Sequence, residues 1–216
     1  EESADIGIAL DGDADRLVVV DENGEIIDGD KLIAIIAEKL HDEGRLKGDL
    51  VVITQMSNMA LEEYLNYIGV STIRTQVGDR YVLEEMRRQK CNFGGEQSGH
   101  IVLGDYSTTG DGLIASLQIL AKLSSANKKI SELSNIFQLN PQILKNIRFD
   151  KNAPNPMENK SFQDFVAQKE LELKKSGRIL VRKSGTENLL RIMIEGKDFD
   201  LINKISDEII LFTKNI

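Results

Sequence analysis

Apolar and polar positions along this chain fall into short blocks that predict strands and helices in alternation. Residues 6–10 and 17–20 are apolar runs, the second rich in β-branched side chains, and both predict strands. Asn23-Gly24 is a hairpin-turn signal that returns the chain into Ile26 and Ile27. From residue 31 to 41 the apolar positions 32, 33, 35, 36 and 40 recur at helical spacing. Residues 49–54 (DLVVIT) predict a buried strand, and Ser57 is placed to cap a helix reaching Tyr67. Residues 70–75 predict a further strand, and Asp79 is placed to cap a helix reaching Gln89. Residues 93–105 read as two short strands around a Gly-rich turn, followed by helices at 111–123 and 131–137.

Strands alternating with helices predict an α/β layer domain with a largely parallel core sheet up to about residue 137. The character changes near Asn140-Pro141, and the boundary is placed between 137 and 143. Beyond it come a Pro- and Asn-rich loop (153–159), a helix (162–174) and strands at 178–182 and 189–196. A last helix starts at Asp198 or Asp200. That set predicts a smaller α+β unit. Neither repeats nor low-complexity tracts occur. The chain starts Glu1-Glu2-Ser3 and enters a strand by about residue 5, which reads as the middle of a longer protein, with a processed N-terminus as the alternative.

Charge narrows the partners. Lys and Arg total 27 against 35 Asp and Glu, a net −8, which argues against bulk electrostatic binding to nucleic acid or anionic membrane. A local positive pocket for a small anion remains open. With one cysteine, Cys91, no intrachain disulfide can form, which points to a reducing compartment, the cytoplasm. Cys91 itself reads as a small, partly buried apolar residue. No apolar run approaches the roughly 18 residues of a membrane span, and no signal peptide is visible.

Three loops carry candidate chemistry. In DGDADR, Asp11, Asp13 and Asp15 alternate with small residues between two strands, so their carboxylates can converge. Such a set is tolerable if splayed into water or if a cation neutralises it. Its all-oxygen donors suit Mg²⁺, Mn²⁺ or Ca²⁺ and leave coordination places for a substrate phosphate. An EF-hand is disfavoured, because Arg16 stands where that loop needs glycine and strands replace the flanking helices. The second loop, GGEQSGH (94–100), sets Glu96, Ser98 and His100 among three glycines, a set suited to the hydroxyls or amine of a sugar. A plain hairpin turn is the alternative. In the third, RKSGTENLLR (182–191), Arg182, Lys183 and Arg191 bring positive charge. Ser184 and Thr186 bring hydroxyls, and Gly185 frees backbone N–H groups to turn inward. That is a phosphate nest or a basic polar turn, and it lacks P-loop spacing.

Taken together and in this order, the three loops resemble the metal, sugar and phosphate loops of the α-D-phosphohexomutase superfamily. The glutamine of GGEQSGH, with QMSNMALEEYL (55–65) and VGDRYVLEEM (77–86), resembles the branch that interconverts glucosamine 6-phosphate and glucosamine 1-phosphate. The resemblance implies a mixed, mostly parallel layered α/β domain followed by a smaller α+β domain of TATA-binding-protein-like form. Residues 1–20 would be the tail of the family's domain 2, 21–138 domain 3 and 139–216 domain 4. The family's phosphorylated serine lies in domain 1, and its motif is not found in this chain. Carried over, Asp11, Asp13 and Asp15 would hold Mg²⁺, with Arg16 catalytic beside the transferring phosphoryl. Glu96, Ser98 and His100 would bind the sugar. Arg182, Ser184, Gly185, Thr186 and Arg191 would bind the phosphate that is not reacting. Arg80 is a weaker cleft candidate, and His41 matches nothing. The implied partners are a phosphorylated hexosamine and the missing N-terminal domains, with neither nucleic acid nor membrane. The alternatives are a sister branch acting on mannose or glucose phosphates, and a truncated protein that binds phosphosugar without catalysis.

Overall fold

The computed structural model describes residues 3–149, 155–184 and 187–214. The chain divides into two units, Glu1–Leu139 and Asn140–Ile216.

The first unit opens with a hairpin sheet, β1 (Gly7–Leu10), β2 (Leu17–Val20) and β3 (Ile26–Ile27), each antiparallel to the next. Along β2 the pleat buries Leu17 and Val19 and turns Val18 outward, the period of a half-covered strand. The main sheet has the order β5-β4-β6-β7, from β4 (Leu50–Thr54), β5 (Ser71–Thr75), β6 (Phe93–Gly95) and β7 (Ile101–Leu103). β4 runs parallel to β5 and β6, and β7 closes antiparallel to β6. Five helices complete the unit: α1 (Gly29–Asp42), α2 (Met59–Tyr67), α3 (Asp79–Gln89), α4 (Gly112–Ala126) and α5 (Ile130–Ser134).

The centre of the sheet is covered on both faces, which explains the apolar run of β4. Val51 and Ile53 join Ile33, Ile36, Leu61 and Ile119 in the main core, which also takes in Leu17 and Val19 of the hairpin. Val52, between them, points the other way to Val82 and Met86 of α3. Gly94 allows that packing, since a Cβ there would lie 2.8 Å from Val52 O and 2.9 Å from Met86 Sδ.

Two predicted caps move by one residue. α2 is capped by Asn58, whose side chain accepts the Ala60 N–H, while Ser57 is buried in the preceding turn, its carbonyl taken by Arg74 Nη1 at 2.7 Å. α3 is preceded by Gly78 at φ +135°, a conformation open to glycine, so Asp79 is its first helical residue and not its cap. α5 stops at Ser134, short of the predicted 137. Asp111, read as the first residue of a helix, is instead the cap of α4, its carboxylate accepting the Ile114 N–H at 2.9 Å. Asp111→Ala should therefore lower unfolding stability by about 1 kcal/mol, read from a denaturant midpoint at constant slope.

The second unit is a three-stranded antiparallel sheet of order β8-β10-β9, from β8 (Gln142–Arg148), β9 (Gly177–Lys183) and β10 (Leu189–Gly196). Two helices pack on it, α6 (Lys160–Leu173) and α7 (Phe199–Thr213), and Phe165 stacks on Phe212 at 4.3 Å. Asp198 caps α7 through the Leu201 N–H, which decides between the two predicted starts. Sequence pattern missed β8. Its sheet-core side carries Ile143, Lys145 and Ile147 while Leu144 is exposed, so polarity and burial are mixed on both faces. The strand is held by full pairing to β10 instead.

Cys91 is half-buried, and burial pushes its thiol above the ordinary range. Among the described residues no helix is long and apolar enough to cross a membrane.

Candidate functional site

The acidic loop is the turn between β1 and β2. Ala14 adopts φ +60°, and its N–H bonds Asp11 O at 3.2 Å, which folds the loop back tightly enough to close the hairpin. One carboxylate oxygen from each of Asp11, Asp13 and Asp15 then lies within 4.8 Å of the other two. Arg16 stands beside them, its Nε 3.9 Å from Asp11 and 3.7 Å from Asp15, and its own N–H donates to Asp11 Oδ1. An all-carboxylate set this close, with only one partly exposed guanidinium to offset it, fits a hard divalent cation.

The Gly-rich loop joins β6 to β7. Glu96 N donates to His100 O at 2.9 Å, and Gly99, at φ +87°, returns its N–H to Glu96 O at 3.0 Å. This hairpin is stitched to the acidic loop over a long sequence separation. Leu17 N donates to Gly99 O at 3.0 Å, and Arg16 bridges His100 through the backbone. His100 is almost fully enclosed, with Nδ1 3.2 Å from Asp15 Oδ2 and a buried Nε2 without a hydrogen-bond partner. Gly110 makes room for the ring, since a Cβ there would lie 2.4 Å from Cε1 and Nε2. Imidazole and carboxylate thus orient each other at the edge of the acidic loop.

Both loops open onto one cavity of about 670 Å³ in the first unit. Asp15, Arg16, Glu96, Ser98 and His100 line it; Asp11 and Asp13 do not. Glu96 is held by the N–H of Gly78 at 3.0 Å, which aims its carboxylate from the start of α3. Asp28, Thr54 and Met56, which sequence reading did not single out, also line the cavity, as do Asp79, read in sequence as a helix cap, and Gln97, read as a mark of the branch. Asp28 and Asp79 resemble ordinary helix-start residues in sequence, and Asp28 does cap α1 through the Asp30 N–H. The wall is strongly acidic: Asp15, Asp28, Asp79 and Glu96 face one cation, Arg16.

The third loop lies in the second unit. Arg182 and Arg191 are direct cross-strand partners between β9 and β10, so both guanidinium stems rise from one face. Burial, and then Arg191, lower the affinity of Arg182 for its proton. Ser184 is buried, and its N–H donates to Leu189 O at 2.9 Å. Lys183 stands over the Phe149 ring at 5.9 Å. Gly185 and Thr186 lie outside the described residues. Arg80 is highly exposed and pairs with Glu84 one helical turn on, outside the cavity lining. His41, which matches nothing in the family, has its Nε2 3.8 Å from Asp49.

Residues 28–139 match the phosphoglucomutase/phosphomannomutase alpha/beta/alpha domain III, and 144–211 match the C-terminal domain of the same family. Proteins named phosphoglucosamine mutase are similar to this chain. That of Azorhizobium caulinodans is 50% identical over 210 residues, 97% of this chain and 46% of its own length. That of Rhizobium etli is 50% identical over all 216 residues, 48% of its own length. The chain therefore spans about half the length of the curated relatives it matches. The N-acetylphosphoglucosamine mutase of Aspergillus fumigatus, solved with GlcNAc-6P and magnesium, has the same fold. Its TM-score is 0.77 at 18% identity, covering 96% of this chain and 48% of that one.

Proposed function

This chain belongs to the phosphoglucomutase/phosphomannomutase family, and we infer that it is the C-terminal half of a phosphoglucosamine mutase. Such an enzyme interconverts glucosamine 6-phosphate and glucosamine 1-phosphate through a bisphosphate. The observation that carries this reading is the meeting of the acidic and Gly-rich loops at one cavity. Asp11, Asp13 and Asp15 would hold Mg²⁺, which when bound supplies charge neutralisation for a phosphoryl group in transfer. Arg16 adds a guanidinium at the same place, able to grip phosphoryl oxygens. Glu96, Ser98 and His100 would take the sugar, with Glu96 aimed by Gly78 and His100 by Asp15. In the second unit, like charges facing each other across strands are unfavourable until an anion sits between them. Arg182 and Arg191 meet that description, and with Ser184, Gly185 and Thr186 they would hold the distal phosphate. The chemistry then rests largely on positioning. The phosphoserine donor belongs to the N-terminal domains of the same enzyme, and the setting is the cytoplasm.

A hexosamine is favoured over glucose or mannose phosphates by the cavity wall, where four carboxylates face one cation and suit an ammonium group. Binding of glucosamine 6-phosphate, glucose 6-phosphate and mannose 6-phosphate to the chain tests this, and preference for a neutral sugar would remove the glucosamine assignment. Turnover on adding the phosphorylated N-terminal domains excludes a purely binding role. Arg182→Ala should weaken phosphosugar binding by roughly 1.5–3 kcal/mol, the worth of a charge-assisted contact. Unchanged affinity in a calorimetric titration would place the phosphate elsewhere.

A further inference from the structure

Asp30 is fully buried in the first turn of α1 and has no part in the chemistry above. Its Oδ2 accepts the N–H of Asn58, 28 residues away, at 2.6 Å, and the side chain of Ser57 also hydrogen-bonds the carboxyl. Asn58 ends the β4–α2 loop; Thr54 at the end of β4 and Met56 in the loop line the cavity. Two residues before Asp30, Asp28 lines the same cavity and accepts from Gln97 Nε2. Gly29, between them, is pressed against the Gly-rich loop, since a Cβ there would lie 2.2 Å from Gln97 O. Arg74 of β5 braces the β4–α2 loop from its other side, donating to Thr54 O at 3.2 Å and Ser57 O at 2.7 Å while paired with Glu62.

We propose that Asp30 is a positioning residue: from inside the fold it locks the β4–α2 loop to the start of α1 and so holds the parts of the cavity lining that these two segments carry at their spacing. The lock depends on a proton. The charged groups facing Asp30 are Asp28 at its own helix start and Arg74 on β5. Burial, above all, pushes its carboxyl up to about 7, with Asp28 adding to burial while the Asn58 N–H, the Ser57 side chain and Arg74 oppose it. Once the loop opens and water reaches Asp30, the carboxyl returns to its ordinary value of about 4. The closed arrangement therefore binds the proton more tightly than the open one. Closure is firmest below about pH 4, weakens as pH rises from about 4 to about 7, and levels off above that.

The test is amide hydrogen exchange of this chain at about pH 5 and about pH 8, each rate taken relative to the free-peptide rate at that pH. Protection of the Asn58 amide and its loop neighbours should fall by at least about tenfold at the higher pH. In Asp30→Asn, whose amide cannot ionise, protection should be level across that range. Equal protection at both pH values in the native chain, or a parallel fall in the variant, would overturn the proposal. Should Asp30→Asn not fold, a carbon-13 titration of the Asp30 carboxyl in the native chain decides. A midpoint near neutrality that tracks the loss of protection supports the lock, and a midpoint in the ordinary aspartate range overturns it. The readout needs no ligand, so the phosphosugar reading and this one fail independently.

Discussion

Asp13→Ala abolishes measurable Mg²⁺ binding at the acidic loop, a loss on the order of a hundredfold or more in affinity. Asp13 is the middle of three carboxylates whose oxygens lie within 4.8 Å of each other, and it is exposed. Neither salt bridge of Arg16 reaches it; those go to Asp11 and Asp15. Removing it thus takes away a proposed ligand without breaking either salt bridge of Arg16. Stability without metal should change by no more than about 0.5 kcal/mol, since one charge leaves a mutually repelling set. Native chain and variant are compared by Mg²⁺ titration and by the rise in melting temperature that saturating Mg²⁺ produces. An unchanged titration would take the metal away from this loop, and with it the assignment of Asp11 and Asp15.

Gly99→Ala destabilises the first unit by about 3 kcal/mol and removes sugar binding. Two costs add at this residue. Gly99 sits at φ +87°, where a side chain costs about 1–2 kcal/mol. Its new Cβ would also lie 2.2 Å from Leu17 O, a backbone atom of the core strand β2. That clash is relieved only by moving the Gly-rich loop off the hairpin, a displacement in the overpacking range of about 1–3 kcal/mol. The same movement breaks the Leu17 N–H to Gly99 O bond and carries Glu96 and Ser98 away from Arg16. Gly12→Ala is the control: no atom lies within 4 Å of its Cβ position, and its φ lies outside the left-handed range. Its stability should stay within about 0.5 kcal/mol of native. Denaturant unfolding followed on both variants separates the outcomes, and equal stability of the two would mean that the loop is not seated as described.

Much of this fold is readable from local pattern, and the exceptions have identifiable causes. The strands at β4 and β10 stand out because they are buried along most of their length, so their positions are mostly apolar, with Thr54, Arg191 and Glu195 as the polar exceptions. β8 escapes notice because Leu144 faces water and Lys145 faces the sheet side, an inversion sustained by pairing to β10. Ser57 and Asp79 look like caps, but backbone dihedrals decide capping. Asn58 has the extended conformation a cap needs, and Gly78 takes the turn into α3. Asp30 reads in sequence as one more acidic residue at a helix start; its enclosure comes from Asn58 and the loop around it.

What the sequence by itself determined is therefore short in range. Residue spacing places three aspartates in one turn, sets Glu96, Ser98 and His100 among glycines, and puts Arg182 and Arg191 on adjoining strands. Those features follow from side-chain period, turn chemistry and the conformational freedom of glycine, all of which act over a few residues. The tertiary structure alone decided which of them meet. Arg16 reaches His100 and Leu17 reaches Gly99 because burying β2 and α1 in one core draws the two hairpins together. The same burial strips water from Asp30 and gathers Asp28, Asp79 and Glu96 around one cavity. Such contacts are the by-product of covering apolar surface over the whole unit, a collective free energy that no local run of residues encodes.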